Sequence, residues 1–204
     1  MQGLNSWDMN VPPLGPRVPV RGNVVSRAIG RWSMSLVGWN FEGAMPNEPK
    51  FVVIVAPHTS NWDFTLGVAA LFALGFRVSF LGKHTLFKWP FETFMRWLGG
   101  IPVERSVSRD RVSESVNVFN ASEQLILAVA PEGTRKLVSG WKSGFYHVAL
   151  GAGVPIVPVA FDYGQKVIRI GAPFLPTGES GSDIAMLKEF YRGVVAKRQE
   201  NFQL

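Results

Sequence analysis

The sequence predicts a single α/β domain, with a mostly parallel or mixed sheet flanked by helices and an N-terminal amphipathic helix. Three observations lead there. At 204 residues the chain suits one domain with a substantial core. Apolar residues make up 47% of it, enough for burial to offset the entropy of ordering. Finally, short aliphatic runs (FVVIVA, LILAVA, VPIVPVA) alternate with longer helical patterns, as expected of strands covered on both faces by crossover helices.

The elements follow in order. Residues 1–21, with Pro12, Pro13, Pro16 and Pro19, read as a flexible leader, and residues 22–204 as the domain. In 22–40, Val25, Ile29, Trp32 and Leu36 recur at helical spacing, with Arg27 and Arg31 elsewhere on the helix. This is either a basic helix lying in a membrane interface or a first helix packed on the domain with solvated arginines. FVVIVA at 51–56 is a buried strand and WDFTLGVAALFALGF a helix, whose apolar run 64–76 is too short to span a bilayer. RVSFLGK is a strand, and LFKWPFETFMRWLGG a helix broken or started at Pro90 and stopped by Gly99-Gly100. IPVERS is a short strand and RDRVSESVNVFNASEQ a polar helix. LILAVAPEGT is a strand entering a loop, SGFYHVALGAG a helix with a glycine stop, and VPIVPVAFDY a strand. KVIRIGAPF reads as an edge strand, and GSDIAMLKEFYRGVVAKRQ as a closing helix opened by Ser182 or Asp183.

Composition narrows the function. A net charge of +6 favours an anionic partner. The basic residues are scattered, and no helix-turn-helix or aromatic sheet motif accompanies them, so nucleic acid is not expected. With no cysteine there is no disulfide, thiolate nucleophile or cysteine-based metal site. The N-terminus lacks the pattern of a secretory signal. A Gly-x-Ser-x-Gly elbow and a Gly-x4-Gly-Lys phosphate loop are both absent. His84 and His147 read as structural or surface residues rather than metal ligands.

Two loops beyond strand ends remain, where α/β sheets gather their chemistry. In PHTSNWD, His58 is a side chain able to accept a proton near neutrality. Asp63, in the first turn of the next helix, could orient it, as in a catalytic triad without its nucleophile. Ser60-x-x-Asp63 is equally a capping box, which explains Asp63 without chemistry. In APEGTR, Gly133 permits a turn, Arg135 offers a fork suited to phosphate, and Glu132 must find a partner or solvent. An ordinary turn with a surface ion pair explains this loop as well. Arg105, ending GGIPVERS, is a solvated strand end or a second cation beside Arg135.

Taken together and in order, PHTSNWD, GGIPVER, PEGTR and VPIVPVA resemble the four motif blocks of the glycerolipid acyltransferases, which include lysophosphatidic acid and other lysophospholipid acyltransferases. The resemblance spans about residues 50–162. His58 and Asp63 match the His-x4-Asp block, and Gly99–Arg105 the second, with Pro102 where phenylalanine is common. Glu132, Gly133, Thr134 and Arg135 match the third block, Val154–Val159 the fourth, and Lys142 with Gly144 a Lys-x-Gly element. The resemblance implies acyl transfer from a thioester, acyl-CoA or acyl carrier protein, to a lysolipid hydroxyl. His58 would be the base and Asp63 its orienter. Arg105, Glu132, Gly133, Thr134, Arg135 and Lys142 would bind substrate, without metal or bound cofactor. It also implies a peripheral protein on the cytoplasmic face of an anionic membrane. From its residues, the aromatic stretch 86–100 reads by default as core, with an acyl-chain groove as the further reading. The alternative is a non-catalytic lipid- or membrane-binding relative. Pro102 and the short chain leave the acceptor lipid open.

Overall fold

The continuous apolar run FVVIVA is explained by its neighbours. Successive residues of a strand face opposite ways, and here both sides are covered. Val52, Ile54 and Ala56 enter one core, Phe51 and Val53 another. The computed structural model describes residues 10–83, 85, 87–103 and 109–204. Within them the strands are β1 (Asn40–Gly43), β2 (Lys50–Ala56), β3 (Ser79–Lys83), β4 (Gly100–Val103), β5 (Leu125–Val129), β6 (Ile156–Asp162) and β7 (Val167–Ile170). They form one sheet in the order β1-β7-β6-β2-β5-β3-β4. Strands β6, β2, β5, β3 and β4 are mutually parallel, whereas β7 runs antiparallel to β6 and β1 parallel to β7. The sheet is therefore mixed and mostly parallel, as the aliphatic runs predict.

Helices α1 (Val24–Leu36) and α2 (Asn61–Leu74) cover the Phe51 and Val53 face, where Met34, Leu66, Ala70 and Leu74 are buried. Helices α4 (Arg109–Ala121), α5 (Gly144–Ala152) and α6 (Ser180–Glu189) cover the other, through Phe119, Phe145, Val148 and Leu187. A short α3 (Glu92–Trp97) follows Pro90 and stops before Gly99, which has φ +100°.

Four features differ from expectation. First, β7 is not an edge strand, because the four-residue β1 pairs with it and buries Phe41. NFEG is too short to show a period. Second, the leader expected to be loose is tied to the body over residues 10–21. Val18 is buried, the Arg21 N–H donates to Gly75 O and the Arg77 N–H to Pro19 O. Third, the closing helix ends at Glu189 rather than running on to about 199. Gly193 turns with φ +79°, and Tyr191 is pinned inside by its hydroxyl, which donates to Ile54 O at 2.8 Å.

The fourth difference is in how α1 packs: it lies against α2, but not by its apolar stripe. Val25, Ile29, Trp32 and Leu36 are each more than half exposed, and the face turned inward is Gly30 and Met34. Gly30 permits this, since a Cβ there would lie 2.3 Å from the backbone nitrogen of Ala73 in α2. The arginines turn towards the C-terminus of α2, where free carbonyls favour cations. The Arg27 Nε is buried over Gly75, and the Arg31 Nε donates to Ala73 O at 3.4 Å. The aromatic stretch 86–100 likewise supplies little core. Phe87 and Leu98 are buried, but Trp89, Phe91, Phe94 and Trp97 are exposed.

Candidate active site

The adjacent parallel strands β6, β2 and β5 end at one edge of the sheet, and each delivers a polar residue just past its last strand position. Beyond β2 comes His58, beyond β5 Glu132, and beyond β6 Tyr163. Four residues join β2 to α2, so His58 and the first helical turn cannot lie far apart. Ser60 caps that turn, with its hydroxyl accepting the Trp62 N–H at 3.1 Å. Asp63 closes the capping box in return, its Oδ2 accepting the N–H groups of Ser60 and Thr59, each at 2.7 Å.

The same carboxylate faces the histidine. His58 Nδ1 lies 3.5 Å from Asp63 Oδ2, longer than a close N–H···O bond, so at this distance the orientation is electrostatic. The other oxygen, Oδ1, accepts the Tyr163 hydroxyl at 2.8 Å. Burial and the bond to Asp63 raise the Tyr163 pKa, which keeps the phenol a donor. Exposure separates the pair: the Asp63 side chain is 1% exposed and that of His58 23%, so the carboxylate is sealed while the ring meets solvent. Burial lowers the His58 pKa below its usual value; Asp63 opposes this and Arg135 adds to it. The net downward shift favours the neutral ring, the form able to take a proton.

Glu132 supports the loop from behind. It is 3% exposed, and its Oε2 accepts the His58 backbone N–H at 2.8 Å. Its Oε1 is buried with no hydrogen-bond partner among the described residues. Burial raises its pKa to about 7, with the His58 N–H pulling it down and Asp63 pushing it further up. Glu132 does not line the cleft.

The cleft itself, of about 1340 Å³, has both polar and apolar side chains on its lining. His58, Thr134, Arg135 and Lys142 are among the polar lining residues, and Val55, Phe64, Val68, Leu71 and Phe80 among the apolar ones. Gly133, with φ +67°, lets the Lys142 side chain cross it: Nζ would lie 3.0 Å from a Cβ placed there. Neither Arg135 nor Lys142 is paired with a carboxylate among the described residues. Arg105 and His84 lie outside the described residues. His147 sits on α5 with its ring edge-on to Tyr146. The structure thus brings together His58, Asp63, Gly133, Thr134, Arg135 and Lys142 and sets Glu132 behind them. Sequence reasoning missed Tyr163, which is a hundred residues from its partner and visible only as the polar tip of VPIVPVAFDY.

Comparison with known proteins fits this geometry. The family profile described as Acyltransferase matches residues 40–162, more than half the chain and the whole His58, Asp63 and Glu132 arrangement. The chain belongs to the acyltransferase family. This acyltransferase is 26% identical over 202 residues to the 1-acyl-sn-glycerol-3-phosphate acyltransferase of Haemophilus influenzae, covering 88% of this chain and 82% of the relative. It is 29% identical over 165 residues to the protein of that name from Escherichia coli, covering 76% of this chain and 65% of the relative. In fold it is similar to the crystal structure of the 1-acyl-sn-glycerophosphate acyltransferase PlsC from Thermotoga maritima, with a TM-score of 0.61. That match has 22% identity and covers 83% of this chain and 77% of the other.

Glu132 gives this acyltransferase a measurable pH signature. Its pKa is about 7 when folded against a usual 4.5. Between those values the folded protein holds a proton that the unfolded chain has released, so stability falls as pH rises through this window. The fall is at most about 3 kcal/mol. Glu132→Gln, which can still accept the His58 N–H, should remove this decline. Urea unfolding at pH 5 and pH 8 will show the wild type losing stability at pH 8 and the variant losing less. An identical pH dependence in the two proteins would contradict it.

Proposed function

We propose that the protein moves a fatty acyl group from a thioester donor, acyl-CoA or acyl carrier protein, to the hydroxyl of a lysophospholipid or related lysolipid. The observation that carries this reading is the solvent-accessible imidazole of His58 on the lining of a cleft, beside a sealed carboxylate and sharing that lining with apolar side chains. Nδ1 faces Asp63 and carries the ring proton, which leaves Nε2 free to act as general base. As the lysolipid oxygen attacks the thioester carbonyl carbon, its proton passes to Nε2. The tetrahedral intermediate then collapses, the C–S bond breaks, and the imidazolium returns the proton to the departing sulfur. The products are the acylated lipid and the free carrier thiol.

Each neighbour has a place in this scheme. Asp63, held by Thr59, Ser60 and Tyr163, fixes the ring and stabilises its charged form. Glu132 holds the His58 backbone. Arg135 and Lys142, with Gly133 and Thr134 shaping the loop and Arg105 joining from the second block, bind phosphate or another anionic group. The apolar part of the lining takes an acyl chain. The thioester is a co-substrate, and the reaction uses no metal or bound organic cofactor.

Attachment to an anionic membrane surface belongs to the same proposal, on the cytoplasmic face where the thioester donors occur. No helix among the described residues is long and apolar enough to cross a bilayer. Support comes from the outward apolar residues of α1 and the aromatics around α3. Arg21, just before α1, lies with its guanidinium 4.4 Å over the Trp97 ring. Apolar side chains flanked by Arg21, Arg77, Lys88 and Arg96 suit an interface rich in anionic headgroups.

Two experiments test these statements. Purified protein should release thiol from acyl-CoA or acyl carrier protein only when a lysolipid is supplied, read with a thiol-reactive dye against a cysteine-free protein. His58→Ala should reduce that rate by at least about 100-fold with the fold intact by circular dichroism, and full activity in the variant would remove the base. For attachment, the triple variant Ile29→Ser, Trp32→Ser and Trp89→Ser should sediment with phosphatidylglycerol-rich vesicles at least about tenfold more weakly than the wild type. Equal sedimentation would contradict the interfacial face.

A further inference from the structure

The family profile ends at residue 162, yet the wall of the cleft does not. After α6 the chain turns back, and residues 195–201 lie against the two residues that border the His58 and Asp63 pair. The Tyr163 N–H donates to Val195 O at 2.9 Å, and the Lys197 ammonium stands 5.4 Å over the Tyr163 ring. On the other side, the Arg198 N–H donates to Thr59 Oγ1 at 3.2 Å, on the residue next to His58. Thr59 is buried, so this bond ties the segment to the interior of the loop. The Gln199 Oε1 accepts the Ala196 N–H at 2.9 Å and closes the segment on itself. The segment is thereby tied to the strand-end loops at Val195 and at Arg198.

This docking places Arg198 and Asn201 on the lining of the cleft. Arg198 is exposed, and no carboxylate pairs with it among the described residues. Arg135, Lys136 and Lys142 border the same cleft, also without carboxylate partners there. Unpaired cations sharing one rim repel one another, and the arrangement is relieved when an anion sits between them. A guanidinium fork held by its own backbone suits two phosphate oxygens at once.

The geometry points to Arg198 as a binding residue for a phosphate group of the substrate, supplied by the C-terminal segment rather than by the four motif blocks. This rests on the acyltransferase reading above. The phosphate is either that of the lysolipid acceptor or one carried by the thioester donor. Both present the same oxygens to the fork.

Binding and turnover, measured separately with the full-length chain, decide it. Calorimetric titration with lysophosphatidic acid and with coenzyme A, on wild type, Arg198→Ala and Arg198→Lys, needs no turnover. Arg198→Ala should weaken one of the two ligands by about tenfold or more, with Arg198→Lys intermediate. The ligand that weakens names the source of the phosphate. In kinetics the corresponding KM should rise with kcat little changed, and transfer to monoacylglycerol, which lacks the phosphate, should be unaffected when the acceptor is the source. Unchanged affinity for both ligands in Arg198→Ala would overturn the inference even if the wild type is an active acyltransferase. A wild type that binds both ligands but transfers no acyl group would instead refute the proposed reaction and leave the binding result to judge Arg198.

Discussion

The Asp63 carboxylate is buried at the first turn of α2, where it accepts two backbone N–H groups and one phenol hydroxyl while facing an imidazole. It has no water to fall back on, so each of these donors matters. As a cap it fixes where α2 begins and how the loop leaves β2. As a neighbour of His58 it fixes which ring nitrogen points inward. One group therefore caps the helix and, in the proposed mechanism, also orients the base, so the two readings of Asp63 are compatible rather than exclusive. Tyr163 and Glu132 reach the same loop from the strands on either side of β2, so the sheet itself sets the geometry of the site.

Much of this was legible in the sequence, for definite physical reasons. Strands buried on both faces must be continuously apolar, so β2, β5 and β6 stood out. A capping box has fixed spacing, so the start of α2 and the position of Asp63 relative to His58 were visible. What did not show depends on packing at a distance. Tyr163 meets Asp63 only because β6 lies beside β2, a neighbour relation that no local pattern encodes. The edge strand β1 is too short for a period. The apolar stripe of α1 was readable, but its direction was not, because Gly30 and Met34 make the contact with α2. Arg198 sat inside a predicted helix that the Gly193 turn cuts short.

The distribution of apolar surface matches a protein that handles lipids. Apolar residues occupy three places: the two cores, the lining of the cleft, and the outward faces of α1 and the α3 region. The last is unusual for a chain with only 18% charged residues, since each exposed aromatic is paid for in solubility. Cations accompany these surfaces: Arg21 lies over Trp97, and Arg135, Lys142 and Arg198 share the cleft lining with His58. The proposed lysolipid substrate, with an apolar tail and an anionic head, suits a cleft lined by both kinds of side chain.

The central claim is that His58 stands neutral, with its proton on Nδ1 towards Asp63 and Nε2 bare towards the cleft. Nitrogen-15 NMR of the imidazole across pH 5 to 8 tests it directly. The account predicts a ring that titrates below the usual histidine value and, once neutral, shows the proton on Nδ1. A ring still charged at pH 7, or a neutral form protonated on Nε2, would contradict it.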